Sequence, residues 1–273
     1  MSNLMLHAGG RLCTYDELRA IPTPAPQGRW HPVSHVRILD TVAGTLEGAG
    51  YRIKDRKLAV AREGKRFFGT LDLATPLTPD GKVALAVGIR NSIDKSFPLG
   101  FCAGNRVFVC DNLSFKAELL VRRKHTRHGE MRFGNAIAEA VQLLASFQQA
   151  EQFRIERLMR TELTDDQALA FIVRAMEKSI ISAVSIPQIL AEYRSPKHDY
   201  GTGDRPTVWK LLNCFTTVLG HRAVRNPGEY AGQTIRLNAL LAPPEDATAE
   251  TTVTHAVAAQ AASMPESPHD QAA

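Results

Sequence analysis

The sequence predicts an α+β fold, in which an antiparallel β-meander is flanked by helices and followed by a helical C-terminal half. Three observations lead to this prediction: apolar residues recur at helical spacing after Ser34, at alternate positions from Phe67 onwards, and at helical spacing again beyond Arg132. The chain has 273 residues, of which 44% are hydrophobic and 22% charged. These values suit a protein with one main core.

Residues 1–33 are predicted to form an extended Pro-rich arm that lies on the domain. Pro22, Pro24 and Pro26 alternate, and this spacing keeps the chain extended and excludes helix there. Ser34 is a good N-cap and predicts a helix over about residues 34–48. The apolar face of that helix consists of Val36, Leu39, Val42 and Leu46.

The meander is predicted from residues 83–89, which contain nothing polar. This run indicates a central strand that is covered on both faces. Pro76 to Gly81 supplies turn residues before it. Ala103-Gly104-Asn105 predicts a hairpin turn between a strand at Leu99–Cys102 and another at Arg106–Cys110.

The C-terminal half is predicted to be helical. Beyond Arg132 one long helix is expected, continuing past Leu158, with Ile137, Val141, Leu144 and Phe147 on its apolar face. Thr164 and Gln167 form a capping box, and another helix is expected to begin after Pro206. A single domain then covers residues 34–242, and residues 243–273, which lack aromatic residues, are predicted to be a disordered acidic tail.

Composition indicates a cytoplasmic protein without a membrane partner. No apolar run is long enough for a membrane span, no secretion signal is recognisable, and the four cysteines are scattered. The net charge is +5, and five acidic residues with no Lys or Arg among them follow Arg236, which leaves +10 on the rest of the chain. This excess favours a polyanionic partner, nucleic acid above all.

No catalytic motif is recognisable, so no catalytic residue and no cofactor are predicted. The phosphate-binding loop, the nucleophile elbow, the zinc-protease helix and the dinucleotide fingerprint are all missing from the sequence. Cys102, Cys110, His125 and His128 are zinc-ligand types, but their spacing argues against a zinc site. His198-Asp199 is a pair seen in metal phosphohydrolases, but without further ligands the sequence favours a solvated loop there.

Three groups of cationic and polar residues are the candidates for phosphate contacts. Arg52, Lys54 and Arg56 alternate and would share one face of a strand at a repeat of about 6.6 Å. Residues 90–95 leave the buried strand as a polar segment, for which the alternative is a hairpin connection whose Asn and Asp bond local backbone groups. The full set is Arg52, Lys54, Arg56, Arg90, Asn91, Ser92, Lys95, Arg122, Arg123, Lys124 and Arg127.

Nucleic-acid binding by this set requires that the positive segments fold together into one groove. Stacking of bases would also need an outward-pointing aromatic side chain, for which Tyr51, Phe67 and Phe68 are the candidates.

Three stretches, Val87–Ser92, Gly104–Asn112 and Thr207–Asn213, resemble an uncharacterised family of phage- and plasmid-carried proteins, the domain of unknown function numbered 932. The resemblance implies a mobile-element setting and spans about residues 30–242. The order of helix, antiparallel strands and helix is also similar to the core of single-strand annealing recombinases, which work as homo-oligomers without a nucleotide cofactor.

We therefore expect a nucleic-acid-binding protein of phage or plasmid origin, with single-stranded DNA favoured as partner and with annealing in recombination as its role. Two alternatives stay open at this point. One is a metal-dependent enzyme acting on nucleic acid through His198, Asp199, His125 and His128. The other is an interaction protein for plasmid maintenance or for blocking a host defence.

Overall fold

A computed structural model of the protein describes residues 10–107, 112–223 and 227–242, with side chains outside 107–118, 221–229 and 231. The strands are β1 Arg11–Leu12, β2 Ile53–Ala61, β3 Arg66–Pro76, β4 Val83–Ser92, β5 Leu99–Val107 and β6 Asn112–Arg123. The helices are α1 Tyr15–Arg19, α2 His35–Gly48, α3 Gly129–Gln142, α4 Leu144–Arg160, α5 Asp165–Glu177, α6 Ile186–Arg194, α7 Val208–Ala223 and α8 Pro227–Leu241. The α+β prediction is confirmed.

The six strands form one antiparallel sheet in the order β1-β2-β3-β4-β5-β6, so the strand order follows the chain. Strand β4 lies in the interior of this sheet, and its residues 83–89 are all buried. The prediction of a central strand covered on both faces is therefore confirmed, because an all-apolar run is stable only where neither face meets water.

One face of the sheet packs against α2 and α3. Cross-strand partners share a face, and Leu71, Val87 and Ala103 belong to the same core cluster as Ile38 of α2 and Ile137 of α3. We call this the helix-covered face. The opposite face is called the second face, and it carries small residues such as Gly88 and Gly100 together with several arginines.

A second core joins the helices of the C-terminal half. Its buried members include Ile155 of α4, Ile172 of α5, Ile189 of α6, Trp209 of α7 and Leu237 of α8. No helix in the described part of the chain is both long and apolar enough to cross a membrane.

Several element predictions are confirmed. Helix α2 begins after Ser34, whose Oγ accepts a hydrogen bond from the Arg37 amide at 3.3 Å. The capping box at α5 is present, because Thr164 Oγ1 accepts from the Gln167 amide and the Gln167 side chain accepts from the Thr164 amide. Helix α7 begins at Val208, directly after Pro206-Thr207.

The predicted hairpin turn at residues 103–105 is wrong. Strand β5 runs without a break from Leu99 to Val107. Asn105 lies within it, and its buried amide donates to Glu151 Oε1 of α4 at 2.6 Å. This tertiary contact accounts for an Asn after a Gly in the middle of a strand, a pair that in isolation is typical of a turn.

Two further predictions are corrected in detail. The long helix after Arg132 is two helices, α3 and α4, which meet at Leu143. The N-terminal arm contains strand β1 and helix α1, whose Leu18 is buried, in addition to its extended proline segment. Cys110 and the predicted disordered tail at residues 243–273 lie outside the described residues.

Candidate functional site

One end of the sheet collects the polar segment 90–95, which is the second group of candidate residues, and the basic residues of segment 122–127, which are the third. Strand β4 ends at Ser92, β5 begins at Leu99 and β6 ends at Arg123, so the segments 90–95 and 122–127 emerge together. The antiparallel register places Arg90 beside Gly100 and Gly100 beside Arg122. We call the surface formed here the loop-end surface, and it consists of Phe68, Arg90, Lys95, Phe97, Arg122, Arg123, Lys124 and Arg127.

Arg90 and Arg122 form a pair across Gly100 on the second face of the sheet. Two strand spacings separate their Cα atoms, which is about 10 Å. The Arg90 side chain lies over Gly100, because a Cβ at Gly100 would stand 2.8 Å from Arg90 Cγ and 2.9 Å from its Nε. Burial, and after it the charge of Arg122, lowers the pKa of Arg90. Among the side chains that the structure describes, no carboxylate pairs with either arginine.

Two aromatic rings adjoin the arginine pair. The Arg90 guanidinium carbon lies 5.4 Å from the centroid of Phe97, and the rings of Phe97 and Phe68 are 5.4 Å apart. Both residues are partly buried. Of the stacking candidates, Phe68 is the one that lies at this surface, since Phe67 is fully buried and Tyr51 packs against the core.

Ser92 is fully buried beneath this surface and supports it. Its Oγ donates to the Phe97 carbonyl at 2.7 Å and accepts from the Phe97 amide at 3.1 Å. These two bonds fix the backbone of the residue that carries the half-exposed ring. Ser92 therefore does not reach the surface as a phosphate ligand, because its hydroxyl is already bonded within the loop.

Asn91 is likewise fully buried. Its Nδ2 donates to the Val33 carbonyl at 2.8 Å and lies 3.0 Å from His35 Nδ1. His35 Nε2 lies 2.8 Å from the Gly64 carbonyl, to which it can only donate, so Nδ1 is the acceptor of the Asn91 proton. Burial lowers the pKa of His35 to about 4 and keeps the ring neutral. The hairpin alternative expected bonds to local backbone groups, whereas Asn91 bonds a carbonyl 58 residues away; Asp94, which accepts from the Ser96 amide at 3.0 Å, is the residue that fits it.

The remaining cations of the loop-end surface differ in how they are held. Lys95 donates to Gln27 Oε1 at 2.9 Å, and its Nζ lies 4.9 Å from the centroid of the Trp30 ring, which ties the loop to the arm. Arg123 donates to the Arg122 carbonyl at 2.8 Å. Lys124 and Arg127 are exposed.

The first cluster, Arg52, Lys54 and Arg56, lies elsewhere. These residues lie at the start of β2, and strands β3, β4 and β5 separate β2 from β6 by about 20 Å. A bulge between Ile53 and Asp55 interrupts the alternation, so the three cations do not share a face. Arg56 instead turns towards α2 and pairs with Glu47 at 2.9 Å. The expectation of one groove over all the positive segments is wrong.

The candidate metal ligands do not assemble in the described part of the chain, which contains no group of three or more His, Cys, Asp or Glu side chains suited to a metal ion. Asp199 accepts from the Gly201 amide at 2.8 Å, and its Oδ2 lies 3.5 Å from Lys82 Nζ. Burial raises the pKa of Cys102 to about 12, so its sulfur carries a proton at neutral pH. His125 is buried, whereas His128 is exposed.

Sequence reasoning did not single out Phe97 or Gly100. Phe97 follows a polar segment and has no periodic pattern around it. Gly100 resembles any other glycine in a strand, and its importance depends on the path of the Arg90 side chain, which the sequence does not show. Phe68 was considered, but its outward orientation depends on the register of β3.

Fold and surface together define an α+β protein built on a sequential antiparallel sheet, with cations and aromatic rings gathered at one sheet end. The chain belongs to the family described as a domain of unknown function (DUF932), whose sequence profile matches residues 25–242. The resemblance to this family of unknown function is thereby confirmed. No curated protein and no solved structure matches the chain significantly.

Proposed function

We propose that the protein binds nucleic acid, single-stranded DNA in preference, through the loop-end surface. The arginine pair Arg90 and Arg122 supports this proposal most directly. The charge of Arg122 acts unfavourably on Arg90, and no carboxylate among the described side chains offsets it. Phosphate is an anion that the guanidinium fork can bind through two parallel hydrogen bonds.

The six cations of the surface set the expected strength of the electrostatic contribution. They are Arg90, Lys95, Arg122, Arg123, Lys124 and Arg127. Each phosphate that a cation neutralises releases condensed counterions, so log affinity for a single strand should fall against log salt with a slope of about −4 for six contacts.

A charge-reversal experiment tests the proposal. We expect Arg122→Glu with Arg123→Glu and Lys124→Glu to abolish binding of a fluorescent 20-nucleotide strand, measured by anisotropy over a salt series. The matched control reverses Arg52, Lys54 and Arg56, an equal change of charge at the distant corner of the sheet, and should keep most of the affinity. Circular dichroism checks that both variants are folded.

Two outcomes would contradict the proposal. A wild-type affinity that does not change with salt would reject binding to the phosphate backbone. An equal loss of affinity in both charge-reversal variants would show that binding depends on the net charge of the protein and not on the loop-end surface.

The proposal extends to the annealing of complementary strands during recombination of phage or plasmid DNA, with identical subunits side by side on one strand. The similar order of elements in single-strand annealing recombinases supports this extension. The expected result is faster pairing of complementary oligonucleotides without any added nucleotide. Sedimentation with and without DNA then measures whether subunits assemble on the strand.

A further inference from the structure

We infer that the loop-end surface holds one unpaired nucleotide, with its phosphate between Arg90 and Arg122 and its base against Phe97 and Phe68. This inference rests on the proposed nucleic-acid binding and specifies the form of strand that the surface accepts. It goes further because it assigns different parts of one nucleotide to different side chains.

Gly100 gives the Arg90 side chain its path towards Arg122. Because Gly100 has no Cβ, Arg90 Cγ, Cδ and Nε lie over β5 in the space that a side chain would otherwise occupy. With any other residue there, the Cγ and Nε of Arg90 would have to move. Gly100 therefore fixes where the Arg90 guanidinium lies, and with it the distance between the Arg90 and Arg122 side chains.

Phe97 and Phe68 form the place for the base. Arg90 links the two halves of the site, because its guanidinium carbon is 5.4 Å from the Phe97 centroid. Ser92 holds the Phe97 backbone from both sides, which keeps the ring in place without a ligand. Aromatic side chains next to arginines bind single strands of any sequence, because every base has a flat face that can stack.

The partial burial of both rings explains why an unpaired strand is required. A half-buried ring can meet a base only if that base is turned out of its stack, and the bases of a duplex are held inside it. A duplex could contact the cations through its phosphates but would leave the rings unused. The surface should therefore distinguish a single strand from a duplex, and both from a polyanion that lacks bases.

The experiment compares Gly100→Ala with Gly44→Ala in the full chain. An added Cβ at Gly100 displaces Arg90 without changing any charge, whereas nothing lies within 4 Å of a Cβ at Gly44 in α2. The probes are a thymidine 20-mer, the same strand paired with its complement, and inorganic polyphosphate. We expect Gly100→Ala to weaken binding of the 20-mer about tenfold and binding of the duplex much less. Gly44→Ala should bind all three as the wild type does.

Phe97→Leu provides an independent arm, since it removes the ring and keeps an apolar side chain. Stacking on one aromatic ring contributes enough for the affinity for the 20-mer to fall about tenfold, while the affinity for polyphosphate stays unchanged. Its control is Phe153→Leu, which removes a ring that is 65% exposed on α4. Thermal unfolding shows whether each variant is folded.

The results separate this inference from the proposal beneath it. If Gly100→Ala and Phe97→Leu bind the 20-mer with wild-type affinity, the nucleotide site is refuted while electrostatic binding stands. An equal loss for the 20-mer and polyphosphate in Phe97→Leu would refute the base contact. If the wild type binds none of the probes, both the inference and the proposed function fail.

Discussion

His35 connects three parts of the chain through one buried imidazole. It lies in the first turn of α2, accepts from Asn91 of β4 and donates to the Gly64 carbonyl in the β2–β3 turn. Protonation of Nδ1 would set two donors against each other at Asn91 Nδ2. The neutral ring is therefore part of the folded state.

Acid should destabilise the fold through this residue. The pKa of His35 is about 4 in the folded chain and 6.5 in its ordinary state, so between these values the unfolded chain binds more protons. Stability contributed by the neutral ring is complete above pH 6.5 and falls by about 3 kcal/mol by pH 4. Urea unfolding at pH 7, 5.5 and 4 measures the loss.

His35→Gln is the matched control, because an amide can also donate to Gly64 and accept from Asn91 without titrating. His125 and Asp94 are the ionisable groups that act on His35, and both remain in the variant. The difference in free energy of unfolding between wild type and variant should therefore shrink as the pH falls. A difference that is constant from pH 7 to pH 4 would show that His35 does not carry this dependence.

The predicted site residues illustrate what a polar segment after a buried strand does and does not reveal. Arg90 and Lys95 lie at the surface, whereas Asn91 and Ser92 are buried supports. All four residues are polar and lie within one short stretch of the sequence, so residue type alone does not distinguish the surface residues from the buried ones. The distinction depends on the 93–98 loop folding back and on the arm passing beneath it, which are contacts that no local pattern encodes.

At the scale of elements, the cations of strand β2 protect an exposed sheet edge, a role distinct from the phosphate contacts proposed for the loop-end surface. Strand β1 pairs only with Ala59 and Val60 of β2, and within the described residues no strand covers the outer edge of Ile53–Lys57. Charged side chains and a bulge are the usual means by which an exposed edge avoids pairing with another molecule. Lys54 lies at the bulge, and Arg56 follows it.

Replacement of the charged residues Lys54 and Arg56 at this edge should cause self-association. We expect Lys54→Val with Arg56→Val to form dimers and larger species at micromolar concentration in the absence of nucleic acid, because the edge becomes apolar and free to pair. The measurement is sedimentation velocity over a concentration series. Arg194→Val with Lys197→Val, an equal change at exposed positions outside the sheet, should stay as the wild type, and association of both variants alike would argue against an edge effect.

Elements were predictable where local signals and tertiary contacts agree. Helix α2 and the Thr164 cap have complete local signals, and residues 83–89 of β4 contain nothing polar. The turn predicted at Gly104-Asn105 fails because the Asn105 amide is bonded to Glu151, 46 residues away. The break between α3 and α4 at Leu143 could not be predicted, because no Pro or Gly lies at that position. The bulge in β2 is also invisible in the sequence, so the shared face of its cations could not be judged.

At the scale of the whole molecule, charge is divided along the chain. Every Lys and Arg lies at or before Arg236, and the stretch 243–273 carries five acidic residues. Under the proposed nucleic-acid binding, we expect this negative segment to compete with DNA for cationic side chains.

Deletion of residues 243–273 should therefore raise the affinity for single-stranded DNA several-fold at 50 mM salt. The effect should vanish above about 0.5 M, where screening shortens the reach of charges to a few ångströms. Anisotropy titrations measure it, and a chain of full length with the five acids changed to their amides separates charge from length. Unchanged affinity after deletion would refute this competition.

The sequential strand order also has a consequence for biosynthesis. From β2 onwards each strand pairs with the one made just before it, so a chain leaving the ribosome can extend the sheet one hairpin at a time without waiting for distant segments. Arg122 arrives with the last strand, and the arginine pair is therefore complete only after every other strand is in place.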